Sequence, residues 1–167
     1  MTGEPQIDAA PPSSLDRIAD AVSVASDFGA VWAALSALQV LLGRSSARGA
    51  ARRLAAAGLA SLVLTRVLKH HFAVPRTDDA ESSSFARTPT STRFPSGHTL
   101  AAFTSALVIP RSRRGRVVAV GFAALVAWSR VRVGHHRPAD VVAGAAAGSI
   151  SGACVAALLA AGAPTSG

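Results

Sequence analysis

Tyrosine is missing from this chain of 167 residues, and cysteine, methionine and lysine occur once each. A lone cysteine, Cys154, rules out an intrachain disulfide scaffold and leaves the redox compartment unread. Charge is scarce as well: charged residues make up 16% of the chain, against about 25% in an ordinary soluble domain. Aromatic residues reach only 5%, whereas half of all residues are apolar and mean hydropathy is +0.36. These shortages exclude a disordered, collagen-like or disulfide-stapled protein and argue against a soluble globule. A membrane-embedded helical protein of one domain remains.

Acidic residues are the rarer sign, nine against seventeen basic, for a net charge of +8. Position argues against nucleic acid as the reason for that excess. Arginines cluster in two short segments between apolar runs: Arg44, Arg48, Arg52 and Arg53, then Arg111, Arg113, Arg114 and Arg116. Neither segment holds an acidic residue, which is the pattern of cytoplasmic membrane loops. Every other basic residue being arginine, the one lysine, Lys69, hints at a specific need. The N-terminal segment carries Glu4, Asp8, Asp16 and Asp20 and lacks the basic start of a cleavable signal peptide.

Residues 1–20 read as a flexible or interfacial tail rich in proline and serine, with Ser14 placed to cap a helix beginning at Leu15. Five apolar stretches follow, at 21–43, 54–68, 99–110, 117–128 and 141–163, and 164–167 form a short tail. The expected fold is therefore all-α, an integral-membrane bundle of about five transmembrane helices occupying 21–163. Only the first and last stretches reach the ~20 residues of a span, so the middle three must borrow polar flanks that face a wet cavity. With five spans, the arginine loops share the cytoplasmic side. The N-terminus and the loops 69–98 and 129–140 share the extracytoplasmic one.

Those two extracytoplasmic loops hold all five histidines: His70, His71, His98, His135 and His136. Asp140 is the only acidic residue after Glu81, and it stands four residues beyond His136. That spacing puts both on one helix face, where a carboxylate fixes the imidazole tautomer and leaves Nε2 as nucleophile or base. His135 points elsewhere round the helix. A surface His–Asp pair at a helix cap is the plainer reading of that spacing alone. Pro95-Ser96-Gly97-His98 opens an apolar run: proline and serine suit a helix start, glycine admits close approach, and free N–H groups hold an anion. There His98 is placed to protonate a leaving oxygen, although the same tetrapeptide also makes an ordinary cap. Lys69, Arg76 and Arg130 bring three cations to the same mouth, as a phosphoryl group requires, where any single one reads as a snorkelling side chain. Arg66 reads as snorkelling or packing. Gly144, Gly148 and Gly152, followed by Ala156 and Ala160, continue at four-residue steps from His136 and Asp140. Such a stripe seats a helix against a neighbour or against a second copy of the chain, as a homodimer.

Lys69-x6-Arg76, Pro95-Ser96-Gly97-His98 and Ser129-Arg130-x5-His136-x3-Asp140 resemble the three-part signature of the type-2 phosphatidic acid phosphatase (lipid phosphate phosphatase) superfamily. The resemblance runs from about Lys69 to Gly152, with one departure: Arg76 is followed by Thr77 and preceded by Pro75, where the family motif usually ends Arg-Pro. It implies a phosphoester hydrolase without metal or other cofactor. His136 would attack phosphorus to form a phosphohistidine, oriented by Asp140. His98 would protonate the leaving oxygen, and Lys69, Arg76, Ser96, Gly97 and Arg130 would hold the phosphoryl oxygens. The implied substrate is a lipid phosphate in the bilayer of the cell membrane. A polyprenyl-linked phosphate such as decaprenylphosphoryl-5-phosphoribose is expected, on the likeness to short polyprenyl-lipid phosphatases of high-GC bacteria. Phosphatidic acid, phosphatidylglycerol phosphate and undecaprenyl diphosphate are the alternatives. Readings from other classes are a vanadate-dependent haloperoxidase, disfavoured by the short apolar chain, and a non-catalytic scaffold or anion carrier. A His70-His71/His135-His136 metal site lacks further ligands at metal spacing.

Overall fold

In the computed structural model, residues 13–26, 29–73 and 92–162 are described, and they form six helices without a strand among them. The helices are α1 (Ser14–Ala25), α2 (Ala30–Leu41), α3 (Ala47–Phe72), α4 (Gly97–Val108), α5 (Arg113–Arg132) and α6 (Pro138–Ala161). The all-α bundle is as expected, and the count of helices is not. The apolar stretch 21–43 does not run as one helix but as the end of α1 and all of α2, which diverge by 69°. The local chemistry favours a break there. Ser26 Oγ donates to Val22 O at 2.6 Å, a back-bond that bends helices, and Gly29 takes a left-handed φ of 72° before α2. Residues 14–20, grouped with the tail, instead open α1. Its N-cap is Ser13 rather than Ser14: Asp16 N donates to Ser13 Oγ at 3.3 Å, and Ser13 N donates to Asp16 Oδ2 at 2.9 Å.

The stretches at 54–68 and 117–128 lengthen at their polar ends into α3 and α5, because arginine and lysine are good helix formers whose stems tolerate apolar surroundings. The one at 99–110 keeps its length and moves two residues toward the N-terminus. α3 has 26 residues, about 39 Å at 1.5 Å per residue. α4 has 12, about 18 Å. Among the described residues, α6 alone has both the length and the apolar composition to cross a membrane; α1 and α2 meet that test only when taken together.

Small residues fill the interior and large apolar ones face outward. Ala57, Ala106 and Ala123 are fully buried within a cluster that includes Trp32, Val108, Ile109 and Val126. Val63, Val118, Ile150 and Leu158 lie at the surface, the last three about 70% exposed. Water would penalise such an exterior, and lipid does not.

α4 and α6 make the tightest seam. A Cβ added to Gly148 would sit 2.4 Å from Leu100 O, one at Gly144 2.6 Å from Ser96 O, and one at Gly152 3.0 Å from Thr104 O. Thr104 Oγ1 donates across the seam to Gly148 O at 3.1 Å. The three glycines of the stripe thus meet α4 within the same chain. At the other end of α4, Gln39 Nε2 donates to Ile109 O at 3.4 Å and Arg53 Nη1 to Val108 O at 3.3 Å. These bonds gather the two arginine-rich loops at the end of the bundle opposite His98 and His136.

Candidate active site

Four helix ends converge: the C-termini of α3 and α5, which deliver Lys69 and Arg130, and the N-termini of α4 and α6. Two helix N-termini together favour an anion between them. The serines that cap α1, α3 and α5 each accept a backbone N–H of their own helix. Ser96, the N-cap of α4, makes no such bond. It is fully buried, and its Oγ accepts from Thr99 Oγ1 at 3.0 Å, so the Ser96 hydroxyl proton is directed elsewhere.

The segment joining α5 to α6 explains the spacing of the third motif. Gly134, at φ 75°, turns the chain sharply after α5. His136 N then donates back to Arg130 O at 3.1 Å, closing the loop between the two residues. Ser96 N donates to Asp140 O at 3.0 Å, fastening the second motif to the third. Gly97 has no room for a side chain: its Cβ would lie 2.9 Å from Thr65 Cγ2 on α3. Lys69 Nζ donates to Thr92 O, ordering the approach to α4.

The structure therefore brings Lys69, Ser96, Gly97, His98, Arg130, His136 and Asp140 to one end of the bundle. Arg76 lies outside the described residues. Lys69, Gly97, His98 and His136 line a single cavity of about 640 Å³. From these groups the cavity continues between α2, α3 and α4, walled by Trp32, Ala33, Leu54, Leu62 and Ala101. His70 and His71 are exposed at the end of α3. Among the described residues no group of three or more histidine, cysteine or acidic side chains is placed to hold a metal ion.

His136 Nδ1 lies 3.7 Å from Asp140 Oδ2, on the expected side but longer than a hydrogen bond. The same carboxylate oxygen accepts from Arg137 N at 2.8 Å and pairs with Arg93 Nε at 3.2 Å. Asp140 thus serves three groups at once: the first turn of α6, Arg93 and His136. Nothing in the local sequence gives Arg93, two residues before Pro95, a role. Its pairing with Asp140 joins positions 47 apart, which no local spacing reveals. Arg130, His135, His136 and Asp140 are each at most 6% exposed, and buried charge at such density needs partners. Arg130 Nη1 donates to Ser23 Oγ at 2.6 Å and lies 3.2 Å from His135 Nδ1. Neither Ser23 nor His135 was singled out for the site by its spacing.

The fold is similar to that of two solved proteins. One is the first transmembrane PAP2 type phosphatidylglycerolphosphate phosphatase from Bacillus subtilis, at 20% identity and a TM-score of 0.73, covering 93% of this chain and 81% of that one. The other is LpxE of Aquifex aeolicus, at 25% identity and a TM-score of 0.65, covering 87% of each chain. No curated protein matches the sequence. The profile of the PAP2 superfamily matches residues 50–162, well over half of the chain, with every described site residue from Lys69 to Asp140 inside it. With the fold of membrane-embedded phosphatases and that match, the chain belongs to the PAP2 superfamily and is a phosphoric ester hydrolase.

Proposed function

We propose that this membrane protein hydrolyses the phosphomonoester or diphosphate of a lipid through a phosphohistidine, with Lys69, Arg76, Ser96, Gly97 and Arg130 as phosphoryl ligands. His136 Nε2 attacks phosphorus as the bond to the leaving oxygen breaks, and His98 supplies the proton that oxygen needs. His98 then takes a proton from water, whose oxygen attacks phosphorus and breaks the P–N bond, releasing phosphate. Asp140 holds the Nδ1 side of His136; its 3.7 Å separation shortens as the ring gains positive charge, catalytic hydrogen bonds being commonly longer before the complex forms. Two helix N-termini and the cations stabilise the charge spread over the phosphoryl oxygens.

The observation that carries a lipid substrate is the cavity: His98, His136 and Lys69 open into an apolar groove between α2, α3 and α4. A phosphate held at the helix ends leaves its hydrocarbon tail in that groove and in the bilayer beyond. We assign a polyprenyl-linked phosphate, such as decaprenylphosphoryl-5-phosphoribose, as substrate, and the extracytoplasmic face of the cell membrane as the site of reaction. The positive-inside placement of the arginine loops supports that side. The second reading is phosphatidylglycerol phosphate, favoured by the fold shared with the Bacillus subtilis protein; phosphatidic acid and undecaprenyl diphosphate belong to the same comparison.

Phosphate release from a panel of these lipids by purified wild type and His136→Ala protein tests the proposal. Wild type releases phosphate fastest from the polyprenyl-linked lipid, chelator changes nothing, and His136→Ala falls to background, a loss of roughly a million-fold. Release by His136→Ala at the wild-type rate overturns the mechanism. Faster release from phosphatidylglycerol phosphate overturns the assigned lipid alone.

A further inference from the structure

We propose that Ser23, on α1 and outside the residues matched by the family profile, is a positioning residue that fixes the plane of the Arg130 guanidinium for phosphate binding. The inference rests on the phosphatase reading above. Arg130 is 2% exposed and Ser23 fully buried. One guanidinium nitrogen, Nη1, carries two N–H donors, and two acceptors meet it: Ser23 Oγ at 2.6 Å and His135 Nδ1 at 3.2 Å. A guanidinium only donates, so His135 Nδ1 accepts and the proton of the neutral ring sits on Nε2. Pinning one corner of a planar fork sets the direction of the others, which is what bidentate recognition of a phosphoryl group demands.

The placement of Ser23 differs from that of other buried helix serines in the chain. Ser36 Oγ donates to Trp32 O at 2.8 Å and Ser61 Oγ to Ala57 O at 2.7 Å, each within its own helix. Ser23 Oγ instead accepts across to α5. Two turns earlier on α1, Asp16 Oδ1 pairs with Arg132 Nε at 2.9 Å, and between them Ala19 is fully buried. One face of α1 thus docks on the end of α5 that carries Arg130, and the N-terminal helix becomes part of the site's support.

The test compares Ser23→Thr with Ser23→Val, which add the same volume and differ by the hydroxyl. Orthovanadate binding by calorimetry and kcat for the best lipid of the panel are measured on the full chain, alone and in an Arg130→Lys background. With Arg130 present, Ser23→Val binds orthovanadate about tenfold more weakly than Ser23→Thr and turns over about tenfold more slowly, as misplacement of a binding group does. In Arg130→Lys the two are equal, because the Nη1 contact no longer exists. Equal Thr and Val proteins in the Arg130 background overturn the proposal, and so does a Thr–Val difference that survives Arg130→Lys. Should position 23 reject both substitutions, Ser23→Ala, which removes only the hydroxyl, is compared with wild type in the same way; parity again overturns it. A wild type that turns over no lipid phosphate sinks the functional reading, while the orthovanadate difference still decides how Arg130 is held.

Discussion

α4 has two unlike faces. Toward α6 it meets Gly144, Gly148 and Gly152 so closely that a methyl group added at Gly148 would sit 2.4 Å from a carbonyl oxygen. Toward α2 and α3 it borders an open groove, where a Cβ added to Gly58 would meet nothing within 4 Å. Glycine serves opposite ends on the two sides: at the seam it lets backbones touch, and at the groove it leaves room. The seam holds Ser96, Gly97 and His98 in register with His136 and Asp140, since Ser96 N bonds Asp140 O. Rigidity sits behind the reacting groups and space lies in front of them. The proposed function, an aligned attack on the phosphate of a lipid whose tail must be admitted, calls for both.

The largest effect expected on the rigid side, short of removing the nucleophile, comes from Asp140→Asn. An amide there weakens the pairing with Arg93 and no longer stabilises the charged His136 ring. Turnover falls by roughly 10²- to 10⁴-fold, read as phosphate release, with the lipid's KM little changed. Gly148→Ala attacks the seam itself: it costs roughly 1–3 kcal/mol, read as a lowered thermal midpoint, and slows turnover because α4 must shift away from α6. Gly58→Leu is the matching change on the open side. It folds like wild type but raises KM for a long-chain lipid phosphate about tenfold, leaving a short-chain soluble phosphate unaffected. If Gly58→Leu slows both substrates alike, the groove does not carry the tail. If Gly148→Ala is silent, the seam is looser than its geometry.

The smallest effect concerns α1, which borders neither face of α4 but braces Arg130. Hydrogen bonds from Ser13 hold the Asp16 carboxyl below its ordinary value of 3.8, and Arg132 adds to this. A carboxyl lowered in the folded state contributes stability that is complete above 3.8 and is lost as pH falls through the lower folded value. The Asp16 side chain is 36% exposed, so solvent screens the pair. The thermal midpoint of wild type should therefore drop only slightly more than that of Asp16→Asn on acidification through that range.

Much of the site was legible because its signals are local. His136 and Asp140 stand four residues apart and do meet, although His136 lies in the turn before α6 and only Asp140 is on the helix, and Pro95 to His98 announce a helix start within four residues. The break after Ser26 was hard to read, since 21–43 holds no proline; Asp27 and Gly29 were its cues. The glycine stripe was visible as a stripe, but its partner was not. Whether it meets α4 or another chain depends on packing, not on its period.

From its composition and spacings alone, the chain determined an apolar helical body, arginine loops at one end and, at the other, an imidazole–carboxylate pair beside a helix start with cations near it. These follow from helix periodicity and from the cost of charge in lipid, both of which act over a few residues. Tertiary structure alone decided that Arg93 shares Asp140, that Ser23 holds Arg130, that α6 spends its glycines on α4, and that a groove opens beside α3. Each of these joins residues far apart in the chain, and the distances between helices, set by the size of the side chains packed between them, exist only once the bundle has formed.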